Sequence, residues 1–400
     1  MTVTGSSTTE VYYDPFDFDI DDDPYPIWKR LRDEAPLYYN EKYEFYALSR
    51  YEDVAPELTN WETYRSGRGT TMDIIKSGVE VPPGIILFED PPIHDLHRRL
   101  LSRVFTPRRM ESIESLTRAF CARALDPLVG SGSFDFVENL GALVPMRTIG
   151  YLLGIPEDQQ ATIRASTDDN LTLDEAAPRV ATEELFARQL ELFAEYIDWR
   201  ADHPSDDLMT QLLNAEIEEG GTTRRLTRNE VLLYCSTIAG AGNETTTRLI
   251  GFTGQLLAEH PDQRREIVDN PALLPGALEE VLRYDAPSPV QARYVAHDVE
   301  CRGTTIPDGS VMLLLNGSAN RDERKFPDGE RFDIHRGGAH LSFGHGLHFC
   351  LGSALARMQT RVAFEEVIQR WPEWDVDYAN ASKAHTASVR GWAKLPVFTG

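Results

Sequence analysis

Cysteine is scarce. Four occur in 400 residues (Cys121, Cys235, Cys301 and Cys350), far apart and never as CxxC. That excludes a disulfide-stapled scaffold and argues against a zinc ribbon or an ordinary cysteine-ligated iron–sulfur cluster. No apolar run approaches the roughly 18 residues that a membrane span needs, so no membrane anchor is expected. The opening MTVTGSSTTEVYYDPFDFDIDDD has neither a basic start nor an apolar block. No signal peptide is read there, and a reducing, cytoplasmic location is expected. Positive charge is also short: 40 Lys and Arg face 64 Asp and Glu, a formal net charge of -24. Such a chain lacks the basic field that nucleic acid requires. What is present is 41% hydrophobic and 26% charged residues, which excludes wholesale disorder.

No low-complexity linker or internal repeat divides the chain. Residues 1–20 read as a loose lead-in and 21–400 as one domain. The region 42–60 predicts short strands and turns, with YEFYALSR as a half-buried strand. Residues 62–92, rich in Gly and Pro, predict a long binding loop. From His94 to about Asn270 the signals are helical. Thr106–Pro107 predicts a helix start, and Ala181–Ala201 carries apolar residues at helical spacing. Thr227-Arg-Asn-Glu230 is a capping box that opens a run to about Glu259, about 50 Å if it is one helix. Another helix is predicted over 273–284, strands and turns from Val290 to Leu315, and a final helix after Cys350.

The sharpest local signal is Phe343-Gly-His-Gly-Leu-His-Phe-Cys350-Leu-Gly352. A cysteine ahead of a helix meets the positive end of its dipole, which favours thiolate. Glycines at 344, 346 and 352 allow tight turns and close approach of something flat. Taken alone, the segment also fits a buried structural cysteine, a zinc cluster with His345 and His348, or a nucleophile with His348 as base. A second signal is Ala239-Gly-Ala-Gly-Asn-Glu-Thr-Thr246. Two glycines inside a helix cost roughly 1 kcal/mol each, which suggests a flat ligand, a locally widened turn or a close packing contact.

The whole pattern F-G-x-G-x-H-x-C-x-G resembles the haem-binding loop of the cytochrome P450 family. It matches at Phe343, Gly344, Gly346, His348, Cys350 and Gly352, with Ala356–Arg357 in the continuation. AGNETT is similar to the family's oxygen-activation segment, and Glu280-Val-Leu-Arg283 to its ExxR signature. The resemblance runs from about residue 20 to 398. It implies a mainly α fold with a minor β region, the helical triangular prism of that family with a long central distal helix. It implies haem b as cofactor and Cys350 as the metal ligand. Ala241 would lie over the haem, Thr245 would hydrogen-bond dioxygen, and Glu244 would relay protons. Gly329-Glu-Arg331-Phe places Arg331 as the third member of the Glu280–Arg283 network. His94, Arg98, Arg293 and His348 would hold the haem carboxylates.

The activity implied is monooxygenation of an apolar organic substrate by O2, by hydroxylation or epoxidation of a lipid-like or terpenoid molecule. A haem-thiolate protein driven by peroxide is the alternative, against which Thr245 argues. The substrate pocket would draw on the 66–88 loop, the helices near 165–185, Thr237, Ile238, Val290 and the Val389–Trp392 turn. Lys76 or Arg390 would hold a substrate carboxylate. Electrons would come from a separate ferredoxin and its reductase, docking on Arg98, Arg99, Arg103, Arg108 and Arg109. A monomer is expected.

Overall fold

The capping box at Thr227 starts the longest helix, Arg228–Glu259, which is 32 residues or about 48 Å long. The Thr227 hydroxyl accepts from the Glu230 N–H at 3.2 Å, and the Glu230 carboxylate accepts from the Thr227 N–H at 2.6 Å. Pro261 follows the helix end and cannot continue it. In this computed structural model residues 10–400 are described, apart from 82, 103–106 and 172–182. For 107–109, 166–171 and 183–192 only the backbone is described.

Most side chains of the central helix from Glu230 to Leu257 are buried. The main apolar core surrounds it, with contributions from helices Val144–Leu153, Leu274–Tyr284 and Ser353–Arg370. Small residues set how closely these elements approach. A Cβ on Gly254 would come within 2.6 Å of the Phe136 ring, and the Trp374 indole N–H donates to the Gly254 carbonyl at 2.9 Å. Helix Ser353–Arg370 lies along helix Pro107–Leu125 through a charge ladder in which Arg118 bonds Glu365 and Glu366, and Arg361 bonds Glu114. No described helix is long and apolar enough to cross a membrane.

The largest sheet has five strands in the order Leu37–Asn40, Phe45–Leu48, Val311–Leu314, Gln291–Val295, Tyr64–Arg65. Phe45–Leu48 pairs in parallel with Val311–Leu314, and the other neighbours are antiparallel. Strands from both ends of the sequence thus share one sheet. The 62–92 region is not structureless, since it holds strand Tyr64–Arg65 and helix Met72–Ser77. The stretch expected to be helical from His94 to Asn270 contains two exceptions among the described residues, of which the first is strand Ser133–Asp135, paired with Pro396–Thr399. Glu216–Glu219 and Thr222–Arg225 form a hairpin about Gly220 and Gly221, both with positive φ. A Gly-Gly pair is a strong hairpin signal, but these mostly charged strands carry no apolar alternation to reveal them.

The ExxR pair is buried and fully bonded. Arg283 donates to both Glu280 oxygens at 2.7 and 2.8 Å, and to the carbonyls of Asn320 and Gly329 at 2.8 Å each. The third side chain is Arg336, whose Nε lies 3.3 Å from Glu280 Oε1. Arg331 is therefore corrected. Its side chain is 67% exposed on Asp333, and it offers the network only its carbonyl. The chain turns between 329 and 336, which points the Arg331 side chain outward and returns Arg336 inward. Arg336→Ala should lower the unfolding free energy by about 2 kcal/mol, because it removes a charged donor from a buried carboxylate. Arg331→Ala should stay within about 0.5 kcal/mol. Urea denaturation of both variants measures this, and equal losses would contradict the assignment.

Candidate functional site

Cys350 sits on a loop folded back on itself. Gly344 and Gly346 hold φ of 70° and 69°. A Cβ on Gly346 would also press to 3.0 Å from the Thr59 side chain. The Cys350 N–H closes the loop on the Phe343 carbonyl at 2.8 Å, and the Gly352 N–H donates to the sulfur. The helix begins at Ser353, three residues later. Burial pushes the free thiol upward in pKa. The Gly352 N–H, Arg98 and Arg357 pull it down without prevailing. The expected dipole-lowered thiol is therefore not what the loop builds by itself. A metal cation would deprotonate such a sulfur directly.

Across a cavity of about 430 Å3 stands the central helix. It runs unbroken, so the widened turn considered from the sequence is absent. The Thr245 hydroxyl instead donates to the Ala241 carbonyl at 2.8 Å. Ala241 is exposed to the cavity although its neighbours along the helix are largely buried. A Cβ on Gly242 would come 2.7 Å from Ile149 Cδ1, so this glycine serves helix packing. Glu244 is 3% exposed and ion-paired to Arg248, which also donates to the Trp392 carbonyl.

At the edge of the cavity four nitrogen side chains converge. Arg293 is 4% exposed and donates to the Ala292 carbonyl at 2.8 Å. Burial pulls it down to about 10, with Asp90 opposing. Arg98 donates to the Phe349 carbonyl at 2.5 Å. The His94 and His348 rings lie 4.5 Å apart, and Nε2 of each is buried without a partner. Burial, with the charges of Arg293, His94 and Arg98, drives His348 down to about 3. Cationic and hydrogen-bonding groups meet here, and no carboxylate bonds either arginine. Among the described residues no three His, Cys, Asp or Glu side chains cluster as a zinc site would require.

A model of the family described as Cytochrome P450 matches residues 182–377. Cytochrome P450 123 of Mycobacterium tuberculosis is 38% identical over 394 residues, covering 97% of each chain. The chain belongs to the cytochrome P450 family. The cytochrome P450 monooxygenase PikC of Streptomyces venezuelae is 32% identical, covering 94% of this chain and 91% of its own. The solved cytochrome P450 CYP109Q5 of Chondromyces apiculatus superposes with a TM-score of 0.83 at 31% identity, over 97% of this chain and 98% of its own. P450s bind haem b, and this protein is a haem-thiolate monooxygenase of that kind. Its residues fit the group. The cavity is lined by both Cys350 and Ala241, and the unpartnered Nε2 atoms of His94 and His348, with the Arg98 and Arg293 guanidiniums, would serve two carboxylates.

Thr237, Ile238, Val290 and Val389 all line the P450 cavity, with Ile74, Ile86 and Phe88 from the 62–92 region. The side chains of 166–185 lie outside the described residues. Arg390 is corrected: it is buried against Asp285 at 2.7 Å and the carbonyls of Asp21 and Asp22, so it is structural. Lys76 does not line the cavity and has Glu44 at 4.0 Å. Sequence reasoning missed Asp90, which accepts from the Ser66 and Gly67 N–H groups at 3.0 Å each and so pins the binding loop. It missed buried Gln359 in the cavity wall, for which no motif exists. It also missed Glu279, which clamps the cysteine loop's helix by accepting from Arg357 at 2.6 and 2.8 Å. Arg357 in turn lies 4.4 Å over the Phe343 ring.

Burial acts to raise the Glu279 carboxyl, but Arg357 and His340 outweigh it and hold it at about 2, against an ordinary 4.5. A depressed folded pKa stabilises fully above 4.5, and that contribution is lost as pH falls toward 2. In Glu279→Gln the Tm deficit relative to the parent should therefore shrink between pH 5 and pH 3. A deficit independent of pH would contradict the clamp.

Proposed function

We propose that this P450 hydroxylates or epoxidises a lipid-like or terpenoid molecule, with electrons from a separate ferredoxin and its reductase. The observation that carries the substrate class is the apolar wall facing Ala241, built by Ile74, Ile86, Phe88, Ile238, Val290 and Val389. Two neighbours support it. P450BioI was solved with a hexadec-9Z-enoic acid-ligated acyl carrier protein, at TM-score 0.85 and 29% identity. CYP109E1 of Bacillus megaterium was solved with testosterone, at TM-score 0.85 and 27% identity. One is a fatty-acyl ligand and the other a steroid.

When bound, the haem supplies the redox chemistry that uses two electrons and O2 to place one oxygen atom in the substrate and the other in water. The protein's own groups do the rest. Cys350 would hold the metal. Arg98 and Arg293 would neutralise the haem carboxylates, and His94 and His348 would donate hydrogen bonds to them. Apolar side chains exclude water around the substrate. Thr245 lines the cavity with its hydroxyl on the Ala241 carbonyl, and Glu244, ion-paired to Arg248, would relay protons beside it. In Thr245→Ala, product formed per reductant consumed should fall several-fold while reductant consumption continues. Full coupling in that variant would defeat the proton-handling role.

The docking half of the reading rests on charge. Arg99 is exposed beside the cysteine loop's partner Arg98. Arg103 lies outside the described residues, as do the side chains of Arg108 and Arg109. An acidic ferredoxin would be steered to such a face even though the whole chain is negative. Reversing Arg103 and Arg108 to Glu should slow electron transfer about tenfold at low salt, less at high salt. Unchanged stopped-flow reduction rates at low salt would place docking elsewhere.

A further inference from the structure

A second cavity of about 90 Å3 opens beside the main one. That is room for a few water molecules or for the head of one ligand. Thr70, Thr71, Val290 and Ala387–Val389 line both, so the smaller cavity is an alcove that shares a wall with the substrate chamber. Its outer wall comes from the N-terminal segment. Three aromatic side chains, Tyr13, Phe16 and Trp28, and three carboxylates, Asp14, Asp21 and Asp73, line it. Two carboxylates are engaged, Asp14 with Lys42 at 3.2 Å and Asp21 with His385 at 2.9 Å. The one cation among the described lining residues, Arg390, is held by Asp285. Asp73 has no ion pair or hydrogen bond among the described residues, and its Oδ2 is buried. Thr71 Oγ1 beside it is likewise buried without a partner. The indole N–H of Trp28, a residue only 2% exposed, is turned to the Tyr13 hydroxyl, which leaves the ring itself as cavity wall.

We infer that this alcove binds an ammonium head, so that the substrate is a cationic amphiphile whose apolar body fills the main chamber. Aromatic faces and an unengaged carboxylate around one small cavity attract a positively charged nitrogen. An oxyanion or a carboxylate would meet the three carboxylates instead. Fixing the head in the alcove fixes which carbon of the body lies beneath Ala241 and Thr245, and hence where oxygen enters. The inference rests on the reading of the main chamber as an apolar substrate site.

The test uses the haem-loaded enzyme and two ligands of equal chain length, dodecyltrimethylammonium and dodecanol. The quaternary nitrogen has no lone pair and cannot ligate iron. Soret titration and calorimetry both read the affinity. The ammonium compound is expected to bind at least about tenfold more tightly than the alcohol. Asp73→Asn should remove most of that advantage and leave dodecanol within about twofold, which separates the alcove from the general pull of a negative protein on a cation. Equal affinities in the parent, or an advantage that Asp73→Asn leaves intact, would overturn the alcove alone. If neither compound binds, the apolar chamber fails and the alcove with it. The comparison on the parent enzyme stands even if the variant does not fold.

Discussion

Two arginines and two imidazoles with unpartnered nitrogens, gathered at one edge of the cavity, organise this protein. Arg293 is 4% exposed, Arg98 leans on a carbonyl, and two imidazoles face each other with unpartnered nitrogens. Left alone, such a cluster opposes folding, because desolvated charge and orphaned donors both carry a cost. Haem carboxylates would resolve the conflict. The cofactor would then contribute to the electrostatic balance of the fold as well as to its chemistry, and its binding free energy would add to folding free energy.

The rest of the architecture holds the two faces of the cavity at a fixed separation. On one side, the glycine turns at 344 and 346 and the Glu279–Arg357 clamp hold the sulfur loop. On the other, the central helix is tied through Arg248 to the Trp392 carbonyl and through Gly242 to Ile149. The Glu280–Arg283–Arg336 network anchors the segment that leads into the cysteine loop. Each is a polar or steric device that works only when every partner is present, so their failures would be abrupt.

Local signals were legible where chemistry and position coincide along the chain. The capping box at Thr227 and Glu230, the cysteine loop and the long helix with Ala241 and Thr245 all read correctly as elements, because each is defined by contiguous residues. The charged hairpin about Gly220–Gly221 escaped, since charged strands carry no alternation. Arg331 was named where Arg336 serves, because a motif locates a residue in sequence but not the direction of its side chain after two turns. Asp90 escaped because its grip on the Ser66 and Gly67 amides joins groups more than twenty residues apart.

The sequence by itself determined the cysteine loop and the central helix, because those depend on residue type at short spacing, and the family resemblance they carry implied the cofactor. Only the tertiary structure decided which arginine completes the buried network, that Arg390 is a brace and not a ligand for substrate, and that Asp73 stands unengaged beside the substrate chamber. The physical reason is that satisfaction of a charge is a property of the surroundings. Those surroundings are assembled from segments hundreds of residues apart.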